Sequence, residues 1–251
     1  MKTYIQLALV CGAFAYLASA APHVVSMATR PETAPPVNVT VYYETMCIAC
    51  QVFITASLLP TWHDVKDLNI MTATLVPYGN AKEEKVGSKW KFTCQHGENE
   101  CMGNILETCI LHHYPNTSQH LEMINCIELS FFNTAGITWD KALDSCKHTG
   151  VDVEKISTCT TGDEGNQLEH IMATKTGPHS WVPWVLINGV HIEDATIELL
   201  SQVCAAYTPV QKKVTSGFLA LRQIRAPMAE LEPATEGSLR ISERIRYPLC
   251  H

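Results

Sequence analysis

After residue 20 the chain has no apolar run that approaches the roughly 18 residues a membrane-spanning helix requires. The sequence therefore predicts no membrane span. Basic residues are also few: 18 Lys and Arg stand against 25 Asp and Glu, and the formal net charge is −7. Because nucleic-acid binding requires a basic face that contacts phosphates, this charge argues against a nucleic-acid partner.

The apolar run at the amino terminus has the form of a secretory signal peptide. Lys2 provides the positive start, residues 5–17 are mainly apolar, and a small-residue cleavage site ends at Ala20. Two acceptor sequons for N-glycosylation, at Asn38 and Asn116, agree with export and would lie at the surface if they carry glycans. We therefore expect a soluble protein of the secretory pathway.

The chain is rich in cysteine, with 11 residues, of which Cys11 would leave with the signal peptide. Setting aside one close pair leaves eight cysteines in an exported chain, which predicts up to four structural disulfides whose connectivity the sequence does not define. For Cys250 the alternative is a bridge between two chains that forms a dimer. The eight candidates are Cys94, Cys101, Cys109, Cys126, Cys146, Cys159, Cys204 and Cys250.

The close pair, Cys47 and Cys50, forms a C-x-x-C motif at a predicted strand-to-helix junction. Alternating apolar residues over 37–43 predict the strand, and the apolar spacing from Ile48 to Leu59 predicts a helix that ends near Pro60. The positive end of a helix and its free N–H groups stabilise a thiolate, the form that attacks disulfides. The motif therefore predicts thiol–disulfide exchange, with Cys47 as the nucleophile and Cys50 as the resolving thiol.

Other interpretations of the motif are half of a zinc site or an inert structural bridge. Zinc would require a second close pair, which is missing, and His96, His112 and His113 do not stand at a recognisable ligand spacing. The sequence therefore predicts no metal and no bound cofactor. A binding module with an inert bridge between Cys47 and Cys50 stays open, as does an oxidase or isomerase, because the redox potential sets the direction of exchange.

The order of predicted elements is that of a thioredoxin-like α/β fold with a disulfide-rich, mainly helical insertion at about residues 94–160. In that plan a cis proline precedes the third core strand and faces the active-site cysteines. Pro183 is predicted to take this position and Val182 to dock substrate backbone; the alternative is an ordinary trans proline that opens an edge strand. The elements are strands at 37–43, 69–77 and 89–93, helices within 101–160 and at 166–175, a hairpin at 181–189 and a helix at 193–207.

These elements divide the chain into four parts. We expect a signal peptide at 1–20 and a flexible leader or propeptide at 21–36, which holds four prolines. The thioredoxin-like domain spans 37–208. Residues 211–251 carry seven Lys and Arg against four Asp and Glu, and we expect 209–251 to be a tail that is mobile or removed.

The run from Cys94 to Asn104, with Cys109 five positions later, matches the signature C-Q-H-G-x2-E-C-x2-N-x4-C. Over about residues 37–207 the chain resembles the gamma-interferon-inducible lysosomal thiol reductase family. The resemblance implies a soluble, glycosylated enzyme of lysosomes or late endosomes that reduces protein disulfides at acidic pH through its C-x-x-C cysteines. A small thiol or another reductase would then restore the enzyme. We interpret the signature run as a disulfide-bonded loop in which His96 and Glu100 are structural polar groups.

Overall fold

The structure is a computed structural model that describes residues 34–207. The predicted signal peptide, most of the predicted leader and the predicted tail from residue 209 lie outside the described residues, as do Cys11 and Cys250. Within 34–207, no helix is long and apolar enough to cross a membrane.

A four-stranded sheet in the order β2-β1-β5-β6 forms the centre of the fold. Strand β1 (Val37–Tyr43) pairs in parallel with β2 (Met71–Pro77) and antiparallel with β5 (Trp184–Ile187). Strand β6 (Val190–His191) follows through an Asn188-Gly189 turn, in which both residues have positive φ, as a tight hairpin requires. This order agrees with the predicted thioredoxin-like plan.

The two faces of β1 pack against different helices because side chains alternate along a strand. Val37, Val39 and Val41 are at most 1% exposed and pack into the main core with residues of the first and last described helices. Tyr42 points the other way and joins a smaller cluster with Val76, Tyr78 and Met172. Strand β1 is therefore covered on both faces, and the chain that leaves it is held firmly.

The helix after the C-x-x-C motif continues beyond its predicted end at Pro60. It consists of α1 (Ile48–Phe53), a π-helical turn (Ile54–Leu58) and α2 (Leu59–Val65), followed by a 3-10 turn. Pro60 lies in the first turn of α2, directly after the π turn in which the Leu59 N–H donates to the Ile54 carbonyl. In the first turn of a helix the N–H that proline lacks would have no partner within the helix, so the helix continues. The prediction that the helix ends near Pro60 is therefore wrong.

The segment between β2 and β5 begins with a hairpin and is otherwise helical. The hairpin pairs β3 (Lys82–Val86) with β4 (Lys89–Thr93); β3 was not predicted, because four of its five residues are charged and show no apolar alternation. The helices are α3 (Glu98–His113), α4 (Thr117–Asn133), α5 (Trp139–Ser145), α6 (Val153–Thr161) and α7 (Asp163–Lys175). After β6, a 3-10 turn (Glu193–Thr196) leads into α8 (Leu199–Ala206).

Between cysteines that both lie within residues 34–207, the structure shows three of the predicted structural disulfides: Cys94–Cys101, Cys109–Cys159 and Cys126–Cys146. The first closes the turn before α3, the second ties α3 to α6, and the third ties α4 to the end of α5. The prediction is wrong for Cys204, which is a free and exposed thiol. Leu199 and Val203 point α8 into the core, and Cys204, one residue further, is turned outward.

Removing the Cys126–Cys146 bridge by double substitution to serine should lower the free energy of unfolding by about 3 kcal/mol, as expected for a loop of this size. The physical reason is that the bridge restricts the unfolded chain. Urea denaturation at constant pH measures the difference. Cys204→Ser is the matched control and should change the value by less than about 0.5 kcal/mol. An equal loss in both proteins would contradict the assignment of the bridge.

Candidate active site

The first cysteine of the motif caps the helix that follows β1. Cys47 has extended backbone geometry at the N-cap of α1, its N–H donates to the Glu44 carbonyl at 3.3 Å, and its carbonyl accepts from the Gln51 N–H at 3.0 Å. Both Cys47 and Cys50 are fully buried, and Cys50 is a free thiol, so no bridge joins the two in this structure. The cysteine pair therefore lies at the amino end of a helix, as predicted.

The structure brings Val182 against the motif. The Val182 carbonyl oxygen lies 3.8 Å from the Cys47 sulfur, the bond between Val182 and Pro183 is cis, and both residues are buried. Beside them, the rings of Trp181 and Trp184 meet edge to face at 4.9 Å. The four predicted site residues thus come from two segments, the β1–α1 junction and the chain just before β5.

Residues of the signature run hold the turn that precedes Cys47. The Asn104 side chain accepts from the Thr45 N–H at 3.0 Å, and the Thr45 hydroxyl donates to the Glu100 carbonyl at 3.3 Å. Gly103 permits this approach, because a Cβ at that position would lie 2.5 Å from the Thr45 hydroxyl oxygen. From the other side, the Gln51 side chain donates to the Thr45 carbonyl at 2.8 Å. The active-site turn is therefore fixed between α1 and α3.

The sequence did not predict that the signature run holds the turn before Cys47. The run was interpreted as a disulfide-bonded loop alone. The Cys94–Cys101 bridge is present, and the His96 ring pairs closely with the Glu100 carboxylate, as structural polar groups do. Asn104 gave no signal of its own, because its partner is a backbone N–H 59 positions away in the chain. The one indication in the sequence that Asn104 has a role was its fixed position in the signature.

Two buried carboxyl groups, of Glu44 and Glu100, lie beside the turn. Glu44 accepts from the Asn80 N–H at 2.6 Å, and its second oxygen lies 3.9 Å from the His96 ring nitrogen. Burial, and then the neighbouring Glu100, raise the pKa of Glu44 to about 7, while Asn80 and His96 oppose the rise. Glu44 is therefore largely protonated in acidic solution and titrates near neutrality.

A second buried pair of carboxyl groups comes from α3 and α4. The Tyr43 hydroxyl donates to Glu107 at 2.5 Å, Glu128 lies next to Glu107, and all three side chains are fully buried. Among the described residues neither carboxyl forms an ion pair with a cation. Burial raises the pKa of Glu107 to about 8, and burial followed by the charge of Glu107 raises that of Glu128.

Together with burial, charged carboxyl groups of these pairs raise the pKa of the resolving thiol, Cys50. Burial raises the pKa of Cys50, the charges of Glu128, Glu44 and Glu100 raise it further, and a hydrogen bond with the Glu44 backbone opposes them. Cys50 is therefore held as a neutral thiol, most firmly when the carboxyl groups are ionised. Sequence reasoning missed these acids, because single glutamates in helices usually face solvent.

The two predicted glycosylation sites differ in their surroundings. Asn116 is exposed at the N-cap of α4, where its side-chain oxygen accepts from the Gln119 N–H at 3.1 Å. Asn38 is half-buried in the central strand β1, and its amide nitrogen donates to the Thr40 hydroxyl at 3.3 Å. Of the two, Asn116 is therefore the more accessible acceptor.

Two clusters within 34–207 could hold a metal ion: one of Glu44, His96 and Glu100, and one of His112, His113 and Glu164. Neither of the two includes Cys47 or Cys50. The motif is close to the first cluster, since the Cys47 N–H donates to the Glu44 backbone carbonyl at 3.3 Å.

Comparison with known proteins identifies the family. A family model for gamma interferon inducible lysosomal thiol reductase (GILT) matches residues 38–149. The gamma-interferon-inducible lysosomal thiol reductase of Mus musculus is 41% identical over 186 residues, which cover 71% of this chain and 71% of the mouse protein. The chain belongs to the GILT family. The Carassius auratus protein of the same name is 40% identical over 185 residues, or 69% of this chain and 70% of that relative.

Membership in the GILT family makes the chain a thiol–disulfide oxidoreductase. The mixed sheet and its helices are those of the predicted thioredoxin-like α/β fold. The family, the fold class and the enzyme class predicted from the sequence are confirmed. Among solved structures, oxidised BdbD from Bacillus subtilis is similar with a TM-score of 0.49 and 13% identity, covering 69% of this chain and 88% of that one.

Proposed function

We propose that this GILT-family chain reduces disulfide bonds of protein substrates, with Cys47 as nucleophile and Cys50 as resolving thiol. The Cys47 thiolate attacks one substrate sulfur, the substrate S–S bond breaks, and the second substrate sulfur leaves as a thiolate that takes up a proton. Cys50 then loses its proton and attacks the Cys47 sulfur. The Cys47–Cys50 disulfide forms, the substrate sulfur that Cys47 attacked is released and takes up a proton, and two electrons have passed to the substrate.

The position of Cys47 is the observation that carries this assignment. Its sulfur lies at the amino end of α1, where the helix dipole favours a thiolate, and 3.8 Å from the Val182 carbonyl. In the proposed reaction, Val182 and Pro183 form the wall against which an extended substrate segment docks. No prosthetic group is required, and an external small thiol or protein reductant restores the dithiol.

We propose an acidic compartment as the place of action: the lysosome, which the names of the relatives give, or the late endosome. The buried carboxyl group of Glu44 supports this setting. In acid, Glu44 is protonated, since its pKa is about 7, and one negative charge fewer opposes the Cys50 thiolate. As the pH rises through about 7, the charge of Glu44 returns and opposes the resolving step.

The remaining parts of the proposal concern export and processing. Residues 1–20 act as a signal peptide, 21–36 as a leader or propeptide, 37–208 as the catalytic domain and 209–251 as a removable or mobile tail. Glycans are attached at Asn116 and Asn38. Cys250 links two chains or pairs elsewhere.

Turnover of a disulfide-bonded protein by the purified mature enzyme at about pH 5, with a small-thiol donor, tests the proposed function. We expect reduction that depends on enzyme and exceeds the rate of the donor alone. Cys204→Ser, which removes a free thiol outside the site, should leave the rate unchanged. Oxidation of a reduced substrate under the same conditions would favour the oxidase alternative, and no exchange in either direction would favour an inert bridge.

A further inference from the structure

A cluster of three metal-ligating side chains lies where the end of α3 meets the start of α7. The His112 ring nitrogen lies 3.7 Å from one oxygen of the Glu164 carboxylate, and the His113 ring nitrogen lies 3.3 Å from the other. The three potential ligand atoms are all within 4.8 Å of one another. In a tetrahedral zinc site with bonds of about 2.0–2.1 Å, neighbouring ligand atoms are about 3.3 Å apart. Small side-chain rotations would therefore bring the three atoms to coordinating positions.

The chemistry of the cluster suits a transition metal. Two imidazole nitrogens and one carboxylate oxygen are a common ligand set for Zn²⁺, whereas Ca²⁺ and Mg²⁺ prefer oxygen ligands alone. The His112 and Glu164 side chains are about half exposed and His113 is 16% exposed, so the fourth position is open to water. The two histidine rings lie at 77° to each other and do not stack, and the Nε2 atom of each lies within 3.7 Å of a Glu164 carboxylate oxygen.

The surrounding elements hold the three side chains in place. Cys109 lies one helical turn before His113 and is tied by its disulfide to Cys159 on α6, which directly precedes α7. At the start of α7, Asp163 forms an ion pair with Lys89 at 2.6 Å and so leaves Glu164 as the carboxylate that faces the histidines. A site supported by a covalent link and two helices loses little freedom on binding.

We propose that His112, His113 and Glu164 form a binding site for Zn²⁺ that fastens α3 to α7. The site is separate from the C-x-x-C motif and takes no part in disulfide exchange. Sequence spacing could not reveal it, because Glu164 stands 51 positions from His113.

Calorimetric titration with ZnCl₂ tests the proposal. The parent protein is the untagged mature chain with Cys47, Cys50 and Cys204 replaced by serine, so that thiols do not bind the ion. At pH 7.4 we expect one Zn²⁺ per chain. We expect affinity at least about tenfold lower in the Glu164→Gln variant, since one of three ligands is lost, and no binding in the His112→Ala/His113→Ala variant.

His63→Ala is the matched control, because His63 also pairs with a glutamate, Glu122 at 2.7 Å, but within residues 34–207 it belongs to no cluster of three potential ligands. It should bind as the parent does. A second readout uses Co²⁺, whose visible absorption should show nitrogen and oxygen ligands in the parent and no such band in the double variant. Zn²⁺ should also raise the melting temperature of the parent and not that of the double variant. Equal Zn²⁺ binding in the parent and the double variant, or no binding in the parent, overturns the proposal.

Discussion

Cys47→Ser should abolish reduction of protein disulfides, and Cys50→Ser should accumulate a covalent mixed disulfide between Cys47 and the substrate. A serine hydroxyl does not attack a disulfide at acidic pH, so the first variant fails at the first step. In the second variant the Cys47 sulfur still attacks, but no internal thiol remains to release the substrate. Cys204 cannot replace Cys50, because it lies exposed on α8.

Mass spectrometry of acid-quenched reactions, without added reductant, measures the trapped species. We expect the adduct mass on the Cys47-containing peptide of Cys50→Ser and no adduct in the Cys47→Ser/Cys50→Ser double variant. Cys204→Ser provides the control for the loss of a cysteine outside the motif and should turn over normally. An adduct on Cys50 of the Cys47→Ser protein, with none on Cys47 of the reverse variant, would exchange the two roles.

The elements that place the motif could be predicted from the sequence because their signals are local. Alternation in β1, the Asn188-Gly189 turn and the spacing of the C-x-x-C motif each depend on neighbouring residues. The errors arose where a distant contact or a rare local geometry decided the outcome. Pro60 would end an ordinary helix, but a π turn placed it at the start of a new one.

The chemistry around the cysteines was less predictable than their positions. Glu107 and Glu128 stand 21 positions apart on two helices, and only the packing of α3 against α4 and of α1 against α4 places them behind the motif. In the sequence each is one charged residue in a helix. Their burial without a cation in the described part of the fold is a tertiary property, and so is the influence of Glu128 on Cys50.

The same carboxyl groups should make the folded domain less stable as the pH rises from about 5 to 8. A carboxyl group whose pKa is raised by folding binds its proton more tightly in the folded than in the unfolded chain. The stabilisation is present in acid and is lost as the pH rises through about 7 for Glu44 and about 8 for Glu107, whose ordinary value is 4.5. At about 1.4 kcal/mol per pKa unit, the expected loss is about 3–6 kcal/mol.

Between pH 5 and 8, His120 has the opposite effect on the stability of the fold. Burial lowers the pKa of His120, so its neutral form is favoured in the fold and some stability is lost below about pH 6. The effect of His120 is confined to the acidic end, whereas the carboxyl groups titrate near neutrality. The net curve should therefore still fall between pH 6 and 8. Urea denaturation at several pH values, with the disulfides intact, measures it.

The Glu44→Gln variant separates the titration of the buried Glu44 carboxyl group from other effects of pH on stability. The amide has nearly the shape of the protonated carboxyl group and can still accept from the Asn80 N–H, so stability at pH 5 should change little. At pH 8 the variant should be more stable than the parent by about 2 kcal/mol, because no charge has to be buried. The control is Glu84→Gln, which changes an exposed carboxylate paired with Lys91 and should leave the slope unaltered. A stability curve that is flat from pH 5 to 8, or a Glu44→Gln protein with the slope of the parent, would show that Glu44 keeps its charge in the fold.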